Sequence, residues 1–288
     1  MGFAQGAEAN AEKFPLFSKR RPSSGIYSMA LLKRLTSTLM PGVRLRSKEQ
    51  KWAKRMKARR KVFDSDLWSQ DSDVAQRKYA SYDDYVKHQS SKLDRISDRL
   101  HAREDDDLAM FVERFQGCSA LGDAHTVLCL GARLGTEVKA LHKLGHLAVG
   151  IDLNPGPDNQ HVLKGDFHKI VFPDASLDAA YCNALDHVYD LERVLGEVRR
   201  LLRPGGIFVA DIIGGYEEGF YAGSYESVHW RDAGEFAEKV ARLSGFALES
   251  TRDLGQINRD RWVQAVFRKP ATDTTQSESQ EQASPLPG

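Results

Sequence analysis

The chain has 288 residues, enough for one large domain or two small ones, and its 41% hydrophobic content supplies a substantial core. No run of about 18 apolar residues occurs, which excludes a transmembrane helix on length grounds. The formal net charge of +1 conceals an asymmetry: residues 1–61 hold 16 Lys and Arg against 3 acids, and the remainder holds 25 against 37.

Residues 1–46 are poor in acids and carry Lys19-Arg20-Arg21 and Lys33-Arg34 among Ser, Pro and Gly. No uninterrupted apolar core follows the basic residues, and Glu8 and Glu12 stand where organelle presequences lack acids, so a flexible tail is expected, with organellar import left open. From residue 44 to 61 the basic density rises, and Trp52 and Met56 lie four apart, the pattern of a basic amphipathic helix. Such a helix suits RNA, an anionic lipid surface or an acidic partner; the alternative is a solvated helix with no partner. Residues 1–62 are thus expected to form a basic, flexible N-terminal arm.

Asp64-Ser65-Asp66 and Asp71-Ser72-Asp73 make the stretch from Phe63 to Val74 polar and acidic, which reads as a linker. Ser81 then precedes Tyr82-Asp83-Asp84 as an N-cap, and Leu93, Ile96 and Leu100 recur on one helix face. Residues 63–104 are accordingly expected as linker and helical segment, residues 105–270 as the main domain, and residues 271–288, rich in Thr, Ser, Gln, Glu and Pro, as a disordered tail.

Within the main domain strand and helix alternate at the pitch of βαβ units: helix around Phe111–Phe115, strand 127–130, helix 135–144, strand 147–152, and further strands over Val162–Phe167 and Ser176–Asn183. Leu191, Val194, Leu195, Val198, Leu201 and Leu202 share a helical period, and Pro204-Gly205-Gly206 ends that helix before a strand over Ile207–Ile212. Phe246–Glu249 and Trp262–Phe267 read as two more strands. Of the cysteines, Cys129 and Cys182 fall inside predicted strands and Cys118 outside them. None shows metal-type spacing, so reduced thiols in a cytoplasmic compartment and no metal site are expected.

Five signals stand in order here: Val127-Leu128-Cys129-Leu130-Gly131-Ala132-Arg133-Leu134-Gly135, then Gly150-Ile151-Asp152 with its acid 21 positions after Gly131, then Gly165-Asp166-Phe167, the strand ending at Asn183, and Leu202-Arg203-Pro204-Gly205-Gly206. A glycine turn after a buried strand lets backbone approach a ligand, and a strand-end carboxylate accepts hydrogen bonds from ribose hydroxyls. Together they resemble the class I S-adenosylmethionine-dependent methyltransferases, in particular the small-molecule branch, over roughly residues 105–269. The resemblance implies an α/β, Rossmann-like, doubly wound, seven-stranded, mostly parallel sheet with an antiparallel last strand, here with an N-terminal helical extension.

It further implies S-adenosyl-L-methionine as cofactor, with Gly131 and Gly135 against its methionine and ribose parts, Asp152 and Leu153 at the ribose, Asp166 and Phe167 beside the adenine, and Asn183 at the methyl-transfer site. The family pattern Asp-Leu-Gly-x-Gly-x-Gly is broken by Cys129 at the acid and Arg133 at the middle glycine. Glu137, opening the next helix, offers a carboxylate for the methionine amino group. Arg133 either pairs with the methionine carboxylate or blocks the site.

Asn183, Asp186 and His187 follow the fourth strand at its carboxyl end and are the catalytic candidates, with His187 either a base or a packing group. Tyr82, Tyr85, His88 and Gln89 are candidates for a cofactor lid or for plain packing. Tyr216, Tyr221, Tyr225, His229 and Trp230 either stack on an acceptor or cover the core. The function implied is methyl transfer to a small molecule, glycan or lipid. The alternatives are a weak or inactive binding protein on the same fold, an RNA methyltransferase recruited through residues 44–61, and a dinucleotide oxidoreductase, which lacks the full Gly-x-Gly-x-x-Gly.

Overall fold

In the computed structural model, residues 48–70, 73–257 and 259–271 are described. The expected tails over 1–46 and, apart from Ala271, 271–288 lie outside them. In chain order the elements are α1 (Lys48–Phe63), β1 (Trp68–Ser69), β2 (Val74–Arg77), α2 (Tyr82–Ser90), α3 (Lys92–His101), α4 (Glu104–Gln116), β3 (Thr126–Leu130), α5 (Thr136–Lys143), β4 (Leu147–Asp152), β5 (Val162–Lys164), β6 (Leu177–Cys182), α6 (Leu191–Leu201), β7 (Leu202–Ile213), β8 (Val228–Trp230), α7 (Ala233–Ser244), β9 (Ala247–Ile257) and β10 (Asp260–Arg268). No helix among them is long and apolar enough to cross a membrane.

Seven strands form one sheet in the order β5-β4-β3-β6-β7-β10-β9. Pairing is parallel from β5 through β7, and β10 runs antiparallel to both β7 and β9, so the last strand alone opposes the rest. Strand order reverses between β3 and β6, and in open α/β sheets that reversal leaves a crevice beyond the carboxyl ends of the strands. The fold is the Rossmann-like one expected from the motifs.

The strands are nearly continuous in apolar residues because both faces of the sheet are covered. Leu128 and Leu130 enter the core shared with α6 and α7, where Val194, Leu195, Val198, Phe236 and Val240 pack. Val127 and Cys129 enter the opposite core, shared with Phe111 and Phe115 of α4 and Val138 and Leu141 of α5. The apolar period of α6 continues past its end: the helix stops at Leu201, and Leu202 already pairs with Leu177 of β6. Pairing resumes only at Ala179 with Ile207, so Arg203-Pro204-Gly205-Gly206 is a bulge inside β7 rather than the loop before it.

The N-terminal segment differs from its expectation as a loose arm and linker. From Lys48 the chain is helical, with Met56 and Phe63 buried, and Arg59 turns inward to donate to the Tyr221 carbonyl at 3.0 Å and to face Glu226 at 3.7 Å. Beyond Phe63 the chain places Trp68 on β1, which pairs with β2, and β2 pairs with β8 in a separate three-stranded sheet. Phe63, Trp68 and Ala75 share a buried cluster with Ala222. Of the acidic residues between them Asp64, Asp66 and Asp73 are exposed, residues 71 and 72 lie outside the described residues, and a few apolar anchors decide the order of the segment.

Beneath the crevice lies one buried ionic centre. Asp211 of β7 accepts from Arg114 at 2.6 Å, Tyr181 at 2.6 Å and Gln264 at 3.0 Å, with Asp211 2% exposed and Arg114 7%. Removing one member of such a set strands the others without water. Asp211→Ala is therefore expected to lower the unfolding free energy by about 3–5 kcal/mol in urea titrations. A loss under about 1 kcal/mol would show that the centre is not a structural requirement.

Candidate active site

At the end of β3 the chain turns through Gly131 at φ 71°, whose amide donates to the Ile151 carbonyl at 2.8 Å. A Cβ at this position would stand 2.9 Å from that of Ala184, so glycine is required for the turn to pass β6. Arg133 follows at φ 44°, an unusual value for a residue with a side chain. That conformation aims its amide at Asp152 Oδ2 at 3.0 Å, while the Asn154 amide reaches Oδ1 at 2.8 Å. Burial raises the Asp152 carboxyl above its ordinary value, and these two amides pull against that.

Two clefts open beside this turn. The first, about 460 Å³, is lined by Gly131, Arg133, Asp152, Leu153, Phe167 and His187 and is roofed from the N-terminal helices by Tyr85, Gln89 and Lys92. The second, about 910 Å³, is lined by Gly131, Arg133, Glu137 and Asn183, with Arg114 and Trp262 opposite. Gly131 and Arg133 are the wall they share. The Arg133 guanidinium has no hydrogen bond or ion pair among the described residues.

Four sequence-predicted residues lie outside both clefts. Cys129 points into the core on the α4–α5 side, fully buried. Gly135 caps α5 at φ 78°, and a Cβ there would meet His161 and Val162 at 2.9 Å, so its role is close packing of α5 on β5. Asp166 is taken up by the Tyr82 hydroxyl and by the His168 amide and ring Nδ1, both at 2.8 Å. Asp186 lies behind the cleft, 7% exposed, its carboxyl pushed up to about 7 by burial and by Glu226.

Of the expected lid residues Tyr85 and Gln89 reach the first cleft, whereas Tyr82 binds Asp166 and His88 stacks on Tyr225 at 4.9 Å. The aromatic cluster after β7 packs and lines neither cleft: Phe63 stands against Tyr216, Tyr221 and His229, and Trp230 stacks on Phe236 at 3.8 Å.

His187 does not present a free base. Its Nδ1 donates to the Tyr225 carbonyl at 2.9 Å, which leaves Nε2 as the acceptor facing Lys92 Nζ at 2.5 Å. Burial and the adjacent Lys92 hold the imidazole well below its usual pKa. Lys92 was not among the sequence candidates. It shares a helical spacing with Tyr85 and Gln89, at i+7 and i+4 from Tyr85, a signal that would have placed it on the same face. Arg114 and Trp262 were missed as well, since each reaches the second cleft only through tertiary packing.

Residues 128–210 match the sequence model of the methyltransferase domain. The chain is 35% identical over 97 residues to sterol 24-C-methyltransferase ERG6B of Gibberella zeae, covering 32% of this chain and 25% of that one. It is 34% identical over 98 residues to the sterol 24-C-methyltransferase of Eremothecium gossypii, covering 34% of this chain and 22% of that one. The chain thus spans about a quarter of the length of these curated relatives. Among solved structures, the 1,6-didemethyltoxoflavin-N1-methyltransferase of Burkholderia thailandensis, seen with 1,6-didemethyltoxoflavin and S-adenosylhomocysteine, superposes with TM-score 0.54 at 18% identity, over 70% of this chain and 98% of that one. A possible histamine N-methyltransferase of Thermotoga maritima gives TM-score 0.50 at 17% identity, over 63% and 99%. Both are likenesses of fold.

Glu137 is 6% exposed, lines the second cleft, and has no ion pair among the described residues. Burial pushes its carboxyl up to about 7, against the pull of its own amide. The folded state then holds this proton more tightly than the unfolded chain, so the stability it confers is full below about 4.5 and lost as pH rises to about 7. In urea unfolding, Glu137→Gln is expected to gain about 1–3 kcal/mol on the parent between about pH 5 and about pH 8. An equal difference at both pH values would contradict the buried, proton-holding carboxyl.

Motif order, sheet topology and the match over residues 128–210 agree: the chain carries a match to the methyltransferase domain, set in the Rossmann-like sheet that the motifs imply.

Proposed function

We propose that this chain transfers a methyl group from S-adenosylmethionine to a small-molecule acceptor, a class that includes glycans and lipids, with the cofactor held across the shared wall of the two clefts. The observation that carries this reading is the Asp152 carboxylate, oriented by two amides in the lining of the first cleft, with acceptor capacity left over that suits a ribose diol. The other donors fit the same ligand. Leu153 and Phe167 give an apolar bed for a purine, the partnerless Glu137 carboxylate suits an ammonium, and the partnerless Arg133 guanidinium suits a carboxylate.

The bound sulfonium supplies an already electrophilic methyl group, so the protein's task is alignment. Holding a nucleophile at about 3 Å from that carbon lowers the barrier by several kcal/mol through positioning alone. Asn183 lines the second cleft beside Glu137 and is placed to hold the methionine end of the cofactor there. His187 serves as a fixed hydrogen-bond acceptor for Lys92, and Asp186 sits behind it. Enclosure by α2 and α3 suits an acceptor of small-molecule size, and the relatives named for sterols and the fold neighbour holding 1,6-didemethyltoxoflavin act on or bind such compounds. The basic stretch 44–61 gives less support to an RNA acceptor, since its Arg59 is engaged internally with Glu226 and Tyr221.

Calorimetry with S-adenosylhomocysteine tests the reading directly. The parent chain is expected to bind, and Asp152→Ala to bind at least about 100-fold more weakly, the loss of two hydrogen bonds to a charged group. Unchanged affinity in the variant would remove Asp152 from the ligand site, and no heat with the parent at millimolar ligand would end the methyltransferase reading. Incubation with S-adenosylmethionine and a metabolite extract should then yield a product one methylene heavier than its precursor.

A further inference from the structure

Lys92 opens α3 and lines the first cleft together with Gly131, Asp152 and Phe167. Its one hydrogen-bond partner among the described residues is Nε2 of His187, at 2.5 Å, and no carboxylate pairs with it. His187 is in turn fixed from two sides, by its own Nδ1 donating to Tyr225 and by the Tyr85 hydroxyl donating to its carbonyl at 3.0 Å. The imidazole is therefore a neutral acceptor. It holds the amine in place without compensating its charge.

Charged groups face the amine from every element packed against it. Arg133 comes from the turn after β3, Asp152 from the end of β4, Asp186 from the turn after β6, and Glu226 from the segment before β8, itself paired with Arg59 of α1. The Tyr225 ring lies 5.6 Å from the ammonium and also receives Arg95 of the same helix at 5.9 Å. Burial and Arg133 push the Lys92 amine down to about 7, while Asp186 and Glu226 favour its charged form. Near neutrality both forms are therefore populated. A further positive charge brought into the cleft acts in the same sense as Arg133 and expels the proton.

We propose that Lys92 exchanges its proton against the charge of the sulfonium ligand, standing neutral while a sulfonium occupies the cleft and taking up the proton that methyl transfer releases. The inference rests on the methyltransferase reading and goes beyond it, because it assigns the proton of the reaction to a named atom. The balance is complete. The bond from sulfur to methyl breaks with its electron pair left on sulfur, a bond from the acceptor atom to methyl forms, and the proton leaving that acceptor atom passes to Nζ. The sulfonium charge disappears as the ammonium charge appears, so the cleft carries the same net charge before and after. In a site partly removed from water this avoids both two adjacent cations and a stranded proton.

The sign of the linkage follows. Below about pH 7 the amine must shed a proton before a sulfonium binds, so sulfonium affinity falls about tenfold per pH unit on the acid side and levels above. The neutral thioether of S-adenosylhomocysteine meets no such penalty. By reciprocity, the same coupling lowers the proton affinity of Lys92 when the sulfonium is bound.

The experiment is a pair of calorimetric titrations of the full chain, with S-adenosylmethionine and with S-adenosylhomocysteine, from about pH 5.5 to about pH 8.5. Two buffers of different ionisation enthalpy allow the released protons to be counted. Expected is an affinity ratio of sulfonium over thioether that climbs about tenfold per pH unit to about pH 7 and then flattens, with up to about one proton more released per sulfonium than per thioether, the release common to both ligands coming from Glu137 as it meets their ammonium. Lys92→Met should lose both effects and keep thioether binding. Lys92→Arg, whose guanidinium cannot deprotonate, should bind the sulfonium weakly at every pH. Asp186→Asn should retain the excess proton release but with its midpoint moved to lower pH, because the anion that favours the ammonium is gone.

An excess of proton release over the thioether that persists in Lys92→Met, or disappears at every pH in Asp186→Asn, would assign it to Asp186 and overturn the proposal. A ratio independent of pH in the parent would overturn it as well, whatever the variants do. A parent chain that binds the thioether without this difference refutes only the role of Lys92, whereas one that binds neither ligand refutes the methyltransferase reading on which that role rests.

Discussion

Two amide hydrogens fix the Asp152 carboxylate, and most of what surrounds the clefts depends on that arrangement. One comes from Arg133, available only because the chain turns at positive φ through Gly131 and Arg133. The other comes from Asn154, whose side chain donates to the Ser90 carbonyl at 2.8 Å and so ties the end of α2 to the end of β4. A single carboxylate thus sets the register between the turn after β3, the end of β4 and the helices that roof the first cleft. The backbone strain at Arg133 is stored where the surrounding sheet over-determines the conformation, which is where such strain persists.

The electrostatics around this point are divided by element. Asp152, Asp186 and Glu137 are buried acids whose carboxyls burial raises, and Arg133 and Lys92 are the cations that stand between them. Glu226 is the exception: burial opposes its ionisation, yet His187, Arg59 and Lys92 hold it below its usual range. Its anion therefore anchors α1 through Arg59 and faces Lys92 from behind His187. The basic helix and the cleft share one charge cluster, a reason for α1 to be packed where the sequence suggested a loose arm. Buried groups in such numbers lower stability unless mutually compensated, and ligand-binding sites are where that cost is retained.

The sheet was legible because its signal is local. Continuous apolar runs bounded by Gly, Asn and Asp mark buried parallel strands, and the strand ends at Leu130, Asp152 and Cys182 agree with the motifs within a residue or two. The same property hid part of the site. Along a strand covered on both faces, Leu128 and Cys129 look alike in sequence although they enter opposite cores, so the pattern could not tell a ligand contact from a core contact. Gly135 reads as a glycine set against the cofactor's methionine and ribose yet answers to His161 and Val162, at the start of β5. Asp166 meets Tyr82 from 84 positions away, and Lys92 meets His187 from 95, and neither pairing leaves a local trace. Nor did the short strand at Trp68, whose pairing with β2 is fixed by apolar anchors on both sides of an acidic stretch.

Cys129 shows how the departure from the family pattern fits together physically. The resemblance expects an acid there, on the strand, to meet the amino group of the ligand. In this chain Glu137, on the first turn of α5, carries a carboxyl that lines the second cleft. The two positions are close enough that Glu137, after burial itself, raises the Cys129 thiol well above its ordinary value. An acid retained at 129 would set a second carboxyl beside Glu137 in the same dry core, and one of the two would be kept protonated. With a small neutral thiol at 129, Glu137 keeps its carboxyl on the helix without a second acid pressed against it on the strand.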